Sequence, residues 1–396
     1  MSAGATAATE AVERLADPVR RARVVLSVVG EPGDPRMTGL VSELGPAAVL
    51  AALVDRGRHD ELGDALAERL GTADPEAVVG RAARRGIRFV TPEDDEWPTS
   101  LDDLAHAPYL HERGGVPVGL WVRGPVRVDE MSDSAVAVVG SRSATTYGAD
   151  VAGEIAATVA AAGHCVISGA AFGIDHAAHR GALAVEGRTV AVLACGADRA
   201  YPRQHHDLLE HIAQEGAVIA EAAPGGAPLR IRFLARNRLI AALTAGCVVV
   251  EAAARSGALN TANWAAGLSR VVMGVPGPVT SAPSVGVHQL IRARDALLVT
   301  GGDDVLEAVG APGAHLATRP HEPPRPRDLL GFEEQVVLEA VPRVRGAPVR
   351  SIARAAGMSP DRVAAAIAGL HRAGLVEHAA GRWRQATDQP PLFDSG

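Results

Sequence analysis

A glycine-rich turn near residue 140 carries the residues with the clearest capacity for chemistry. Gly140-Ser141-Arg142 follows an apolar run that predicts a buried parallel strand, and Thr145 can cap the helix predicted next. The N-terminus of such a helix binds anions, because free backbone N–H groups and the helix dipole converge there. The guanidinium of Arg142 can hold a phosphate through two N–H groups. The turn therefore predicts a phosphate site and leaves open which phosphate it takes.

Three further loops contain glycine, arginine and aromatic residues that suit a polyanion. They contribute Ser168, Gly169, Phe172 and Gly173, then Phe233, Arg236, Asn237 and Arg238, and finally Arg255. An aromatic ring among arginines is typical of a single-strand site, since phosphates meet guanidinium groups while a splayed base stacks on the ring. A solvated helix face explains the arginines of residues 230–238 equally well, so composition alone leaves both interpretations open.

The residue pattern argues against several enzyme classes. The turn reads GSRSATTYG rather than GxGxxG, and the second strand ends in Ser168-Gly169 without an acid for a ribose hydroxyl. All 39 basic residues are arginine, which excludes a Walker A lysine and a Schiff-base lysine. Asp175 and His179 follow Ser168 as in a hydrolytic triad, but no nucleophile elbow surrounds the serine. We predict instead that Asp175 braces its loop and that His179 hydrogen-bonds internally.

Composition predicts a cytoplasmic protein without a metal or cofactor. The three cysteines stand alone in apolar runs, which indicates buried thiols in a reducing compartment. The clustered histidines near residue 205 lack the usual ligand spacing. No apolar run is long enough to span a bilayer, and the N-terminus lacks the features of a secretory signal. The net charge of −7 excludes a uniformly basic coat but allows a local basic stripe.

The order of predicted elements gives three domains. Residues 106–310 alternate strands and helices, which predicts a doubly wound parallel sheet with its ligand site at the carboxyl ends of the strands. Residues 1–105 are mainly helical, about the size of a SAM-like domain. A Pro- and His-rich linker, 311–327, precedes residues 328–386, where a helix-turn-helix followed by a hairpin predicts a winged-helix domain. Residues 387–396 form a tail.

The motifs of the central domain resemble the DprA/Smf DNA-processing family. The matching segments, in family order and spacing, are VAVVGSRSATTYG (136–148), SGAAFGID (168–175), CGADRAYP (195–202), RNRLIAALT (236–244), VVVEAAARSGALNTA (248–262) and VPGPV (275–279). The flanking helical and winged-helix predictions also fit the family, so the resemblance extends over nearly the whole chain.

The resemblance implies a non-enzymatic, extended Rossmann-like protein that binds single-stranded DNA and dimerises. It also implies loading of RecA recombinase onto that strand, which protects incoming DNA during natural transformation. The resemblance implies that Ser141 and Arg142 bind phosphate and that Ser168, Gly169 and Gly173 form a second binding loop. It also implies a groove lined by Arg236, Asn237 and Arg238, with Arg255 near it.

The chain departs from the family pattern at several positions. Phe172 replaces a usual arginine, which removes a charge and offers a stacking ring. Phe233 fits the family pattern, but Arg232 and Leu234 replace its usual neighbours. Two alternatives stay open: a nucleotide-processing enzyme of phosphoribohydrolase type, and a regulator that reads duplex DNA through residues 328–386.

Overall fold

A nine-stranded sheet organises most of the chain in the computed structural model. The structure describes residues 9–55, 66, 68–132, 134–311, 313–315, 327 and 329–386. The chain divides into two units, residues 1–317 and 318–396, and the sheet lies in the first. The predicted tail and most of the predicted linker lie outside the described residues.

The sheet is mostly parallel, as the alternating pattern predicts. Its strands are β1 Ile87–Val90, β2 Leu120–Arg123, β3 Val136–Val139, β4 Val166–Ser168, β5 Thr189–Leu193, β6 Ala217–Ala220, β7 Gly246–Val249, β8 Val271–Gly274 and β9 Leu297–Leu298. Their order is β1-β2-β6-β5-β4-β3-β7-β8-β9, in which the β1-β2 and β2-β6 pairs are antiparallel and all other pairs are parallel. The mixed α/β class is therefore confirmed.

Helices precede the sheet and alternate with its strands. They are α1 Pro18–Val29, α2 Pro35–Leu44, α3 Pro46–Val54, α4 Pro75–Arg84, α5 Asp129–Ser132, α6 Thr146–Ala161, α7 Ile174–Ala184, α8 His206–Glu215, α9 Arg230–Ala242, α10 Gly257–Gly267, α11 Val285–Ala293 and α12 Gly302–Val309. Three of the first four begin with an Asp-Pro pair, in which Asp17, Asp34 or Asp74 accepts a backbone N–H and proline occupies the first helical position.

Both faces of the parallel strands are buried, which explains their continuous apolar sequence. In β3, Val136 and Val138 pack in one cluster with Ile155 of α6. Ala137 and Val139 belong to a second cluster that contains Leu239 of α9. Helices therefore cover both faces of these strands and leave the loops at the strand ends accessible.

The chain reverses its direction of winding at β3. From β3 the strands proceed through β4 and β5 to β6 on one side, and the chain then returns to place β7 on the other side of β3. Ligand crevices in open α/β sheets form at this switch point, outside the carboxyl ends of the strands. The loops that begin at Gly140 and Glu251 lie there.

The sheet begins earlier than the predicted border at residues 105 and 106. Ile87–Val90 is its edge strand and pairs with β2. Helix α1 packs on this edge, where Val24, Phe89 and Trp121 share one apolar cluster. Arg23 of the same helix pairs with Glu93 at 2.7 Å. The N-terminal helices and the sheet are thus parts of the first unit, and residues 87–105 contribute to the sheet side.

In the second unit, the described residues form three helices and an antiparallel hairpin. These are α13 Phe332–Ala340, α14 Val349–Ala356, α15 Pro360–Arg372, β10 Val376–Ala379 and β11 Arg382–Gln385. Gly357 ends α14 with a φ of 63°, a left-handed conformation that glycine adopts without steric cost. Val337, Ile352 and Val363 fill the core between the three helices.

Among the described residues, no single helix is long and apolar enough to cross a membrane. The adjacent helices α2 and α3 reach the length and apolar composition of a membrane-crossing segment only when they are counted together, and they meet at a bend of 111°.

The buried His179 carries a structural hydrogen bond, as predicted. Its Nδ1 lies 2.7 Å from the Thr189 hydroxyl, and that hydroxyl donates to the Val166 carbonyl at 2.7 Å. The Thr189 hydroxyl proton is used in that bond, so the Nδ1–H of His179 is the donor to Thr189. Complete burial, with smaller contributions from neighbouring charges, lowers the pKa of His179 to about 3.

This histidine should make stability depend on pH. Above the ordinary pKa of 6.5 the imidazole is neutral in both states, but between 6.5 and about 3 only the unfolded chain binds its proton. We therefore expect His179 to reduce the free energy of unfolding by about 1.4 kcal/mol per pH unit as the pH falls through this window. His179→Asn retains a donor for Thr189 and should remove that contribution.

Urea unfolding at pH 7 and pH 5 measures the effect. The control is His206→Asn, because the His206 side chain is 63% exposed. Equal pH dependence in the wild type and His179→Asn would contradict the assignment.

Candidate nucleic-acid interface

A cavity of about 480 Å³ lies at the switch point of the sheet. It is bounded by the loops that follow β3, β4 and β7, by residues 233–237 in the middle of α9 and by the start of α10. Its lining includes Gly140, Ser141, Arg142, Asp175, Phe233, Arg236, Asn237, Arg255 and Gly257. The structure thus brings together seven of the twelve predicted site residues, drawn from segments up to about 115 positions apart in the sequence.

The loops after β3 and β4 support each other through their backbones. The Ile174 N–H donates to the Ser141 carbonyl at 3.1 Å. A Cβ at Gly173, whose φ is +77°, would collide with that same carbonyl. A Cβ at Gly140 would meet the Ile174 side chain and the Glu251 carbonyl. Both glycines therefore shape the cavity through close backbone approach, which is how they contribute to the site.

The start of α6 does not hold a free anion site. The buried carboxylate of Glu251 accepts the Thr145 N–H at 3.0 Å and the Thr145 hydroxyl at 2.6 Å. Thr145 also caps the helix by accepting the Gly148 N–H at 3.1 Å. The protein's own carboxylate therefore occupies the position that the sequence suggested for a phosphate. An external anion must bind farther out, toward Arg142.

Two arginines flank a half-buried aromatic ring at the cavity. The Arg142 guanidinium carbon lies 4.9 Å from the centre of the Phe233 ring, and that of Arg236 lies 6.0 Å from it. Both distances allow cation–π attraction. Arg142 itself is exposed, and Phe233 also contacts the ring of Tyr201 with centroids 5.7 Å apart. Charge and aromatic surface thus meet at one place.

Arg236 is almost completely buried at the inner side of this group. It is 7% exposed, and burial, opposed by the carboxylate of Asp175, lowers the pKa of its guanidinium. Gly169 provides the space, because a Cβ there would overlap the Arg236 guanidinium. Asp175 accepts the Gly169 and Ala171 N–H groups at 3.2 and 3.3 Å, which confirms that it braces its loop. Burial raises the pKa of Asp175.

Two predicted DNA-binding residues, one from the groove and one from the second loop, lie in the protein interior instead. Arg238 is fully buried and forms a two-pronged ion pair with Glu221, at 2.6 and 2.7 Å. Ser168 is also fully buried, and its hydroxyl donates to the Val138 carbonyl at 2.7 Å. In this conformation neither side chain reaches the cavity, and both stabilise the elements around it.

The remaining predicted residues lie at different depths. Asn237 is 7% exposed and donates to the Gly257 carbonyl at 3.3 Å and to Asn260 at 3.1 Å, which joins α9 to α10. Arg255 is exposed on the lining. Phe172 is 44% exposed but lies outside the cavity lining, where its ring packs edge-on against His205 with centroids 4.7 Å apart.

These features define an α/β protein with an arginine- and phenylalanine-lined cavity at the switch point of its sheet. The profile of the family described as DNA recombination-mediator protein A matches residues 88–310. The chain belongs to this family, which confirms the resemblance seen in its motifs.

Two curated relatives and one solved structure show the extent of the similarity. The putative DNA processing protein DprA of Mycobacterium tuberculosis is 45% identical over 384 residues, 93% of this chain and 95% of that protein. The DNA processing protein DprA of Streptococcus pneumoniae is 36% identical over 246 residues, 62% of this chain and 86% of that protein. The X-ray structure of DNA processing protein A from Streptococcus pneumoniae matches with a TM-score of 0.60 at 29% identity, covering 74% of this chain and 98% of that chain.

Proposed function

We propose that this protein is a non-enzymatic recombination mediator that binds single-stranded DNA. The observation that carries the proposal is the Phe233 ring flanked by Arg142 and Arg236 on the lining of the cavity. A single strand offers phosphates to the guanidinium groups and an unpaired base to the ring. In a duplex the bases are paired and stacked, so the ring would gain no contact. The relatives' description as DNA-processing proteins agrees with this ligand.

The competing enzymatic function lacks a free acid or base. Asp175 is held by two backbone N–H groups, and Glu251 is held by Thr145. Among the described residues of the cavity lining and of the loops that bound it, Asp175 and Glu251 are the carboxylates nearest the cavity. A phosphoribohydrolase would release a free base from a nucleoside monophosphate. We expect no base release on incubation with such nucleotides, measured by chromatography.

Competition between single-stranded and duplex DNA tests the proposal directly. A labelled oligonucleotide bound to the protein should be displaced by unlabelled single strand at much lower concentration than by duplex of the same sequence. The affinity should fall with rising salt, because bound arginines release counterions from the phosphates. Equal displacement by duplex would favour a duplex-reading regulator, and a salt-independent affinity would contradict phosphate contacts.

The proposal extends to delivery of RecA recombinase onto the bound strand during natural transformation. Its support is the family description as a recombination mediator. We expect the protein to shorten the lag of RecA filament formation on single-stranded DNA, followed by RecA ATP hydrolysis. An unchanged lag at saturating protein would contradict this part and leave strand binding intact.

We further propose the domain assignments made from the sequence. Helices α1–α4 would form the SAM-like region, and α13–α15 with the β10–β11 hairpin would form a winged helix, in line with three helices followed by two antiparallel strands. The sheet between them would be the extended Rossmann-like domain.

For the homodimer that we propose, the edge strand β9 is the candidate interface. Leu297 and Leu298 are 55% and 53% exposed there, and an edge strand has unpaired backbone groups. We expect Leu297→Glu and Leu298→Glu together to halve the mass in light scattering after size exclusion, because charge would be buried at the interface.

Leu44→Glu is the matched control, because Leu44 is 52% exposed on α2. Its mass should equal that of the wild type. If the double variant at β9 remains a dimer, the interface does not lie at β9.

A further inference from the structure

Arg236 is a buried cation whose hydrogen-bonding groups are unused. Its side chain forms no hydrogen bond with any residue that the structure describes, and its Nε is enclosed without a partner. The carboxylate of Asp175 attracts this guanidinium, but the two form no ion pair among the described residues. Leaving a buried guanidinium without partners is costly, so such a group in a native fold calls for an explanation.

The surroundings of Arg236 favour an anion rather than a neutral partner. The cavity lining contains the guanidinium groups of Arg142, Arg236 and Arg255 but only one carboxylate, that of Asp175. The eleven-residue helix α10 begins at Gly257 on the same lining, and its N-terminus adds positive potential. The lining of the cavity therefore carries more positive than negative charge, which favours an anionic ligand.

Resting on the function proposed above, we propose that this cavity binds the terminal phosphate monoester of a DNA strand in preference to an internal phosphodiester. A monoester carries a charge of about −1.5 to −2 at pH 7 and three acceptor oxygens. An internal phosphate carries a single negative charge. The monoester therefore offers the three guanidinium groups more negative charge and a third terminal oxygen, whereas an internal phosphate offers them two.

The depth of Arg236 gives the same preference on steric grounds. Arg236 lies at the inner wall, in the space left by Gly169, whereas Arg142 and Arg255 are exposed. An internal phosphate that reached Arg236 would draw the nucleosides on both of its sides toward a cavity of about 480 Å³. That volume lies near the lower part of the range typical of small-molecule sites. A terminal phosphate brings only one nucleoside with it.

Strands of one sequence with different ends test the proposal. The competitors are linear oligonucleotides with a 5′-phosphate, a 3′-phosphate or two hydroxyl ends, and a circle of the same sequence. We expect one phosphate-ended strand to compete at least about 10-fold better than the hydroxyl-ended strand and the circle, in line with charge-assisted hydrogen bonds. The two phosphorylated arms show which end is bound. Deoxythymidine 5′-monophosphate should compete better than thymidine.

Variants connect the preference to the cavity. Arg236→Gln should remove the advantage of the phosphate-ended strand. Arg255→Gln should remove part of it, and because Arg255 is exposed this variant should fold normally. Arg188→Ala, an exposed arginine at the amino end of β5, should retain it. Equal competition by all four strands would overturn the preference while strand binding stands. Absence of binding to every strand would overturn both the preference and the proposed function.

Discussion

Replacing Arg238 by alanine is expected to lower the free energy of unfolding by about 3–5 kcal/mol. Its guanidinium bonds both oxygens of Glu221 and also donates to the Gly115 and Ala235 carbonyls, at 3.1 and 3.0 Å. Glu221 is 7% exposed and also accepts the Gly33 N–H at 3.1 Å. Loss of the arginine would leave this carboxylate buried without its counter-ion, which is the costly case for an ion pair.

Urea unfolding followed by tryptophan fluorescence measures this loss. Arg21→Ala is the control, since Arg21 and Glu76 form an ion pair at 3.3 Å with both side chains about half exposed. An exposed pair contributes about 1 kcal/mol or less. Glu221→Gln combined with Arg238→Met should recover part of the loss, because it removes both charges together. Equal effects of Arg21→Ala and Arg238→Ala would contradict the structural role.

The same pair shows where sequence analysis reached its limit. The prediction placed Arg236 and Arg238 together in the groove, yet successive helical residues are about 100° apart, so positions i and i+2 point about 200° apart. One of the two therefore had to point away from the cavity. The helical period predicts this, but only the fold shows that the residue is Arg238 and that its partner is Glu221, 17 positions earlier.

The parts of the fold set by local sequence were predictable. Continuous apolar runs gave the parallel strands, and glycine turns marked the carboxyl ends where the cavity lies. Arg142, Phe233 and Arg236 were singled out from composition and do share one lining. The loop brace from Asp175 and the internal bond of His179 were also predicted and are confirmed.

The unpredicted features depend on contacts between distant segments. Glu251 lies 106 positions from Thr145, and nothing near either residue signals that its carboxylate would occupy the start of α6. Phe172 looked like a stacking ring, but its neighbour His205 belongs to a loop more than thirty residues away. A side chain's direction at a loop follows from such packing, which residue type and spacing do not specify.

Arg142→Ala is expected to weaken single-strand binding about 10-fold or more without reducing stability. Arg142 is exposed, and the structure shows it in contact with the Phe233 ring rather than in an ion pair. Its loss removes one charge-assisted phosphate contact, which contributes about 1.5–3 kcal/mol. It also removes one counterion-releasing charge, so the slope of log affinity against log salt should become shallower by about 0.7.

The slope separates a phosphate contact from a merely local rearrangement. Arg188→Ala provides the comparison, because Arg188 is also exposed but precedes β5, at the edge of the sheet opposite the cavity. If both variants show the wild-type slope, Arg142 does not contact the strand.

Phe233→Leu should behave differently from both arginine variants. It keeps every charge, so affinity should fall by the stacking contribution of about 1–3 kcal/mol while the salt slope stays unchanged. A shallower slope in Phe233→Leu would show that the ring acts by positioning Arg142, and the two roles of the group would then be inseparable.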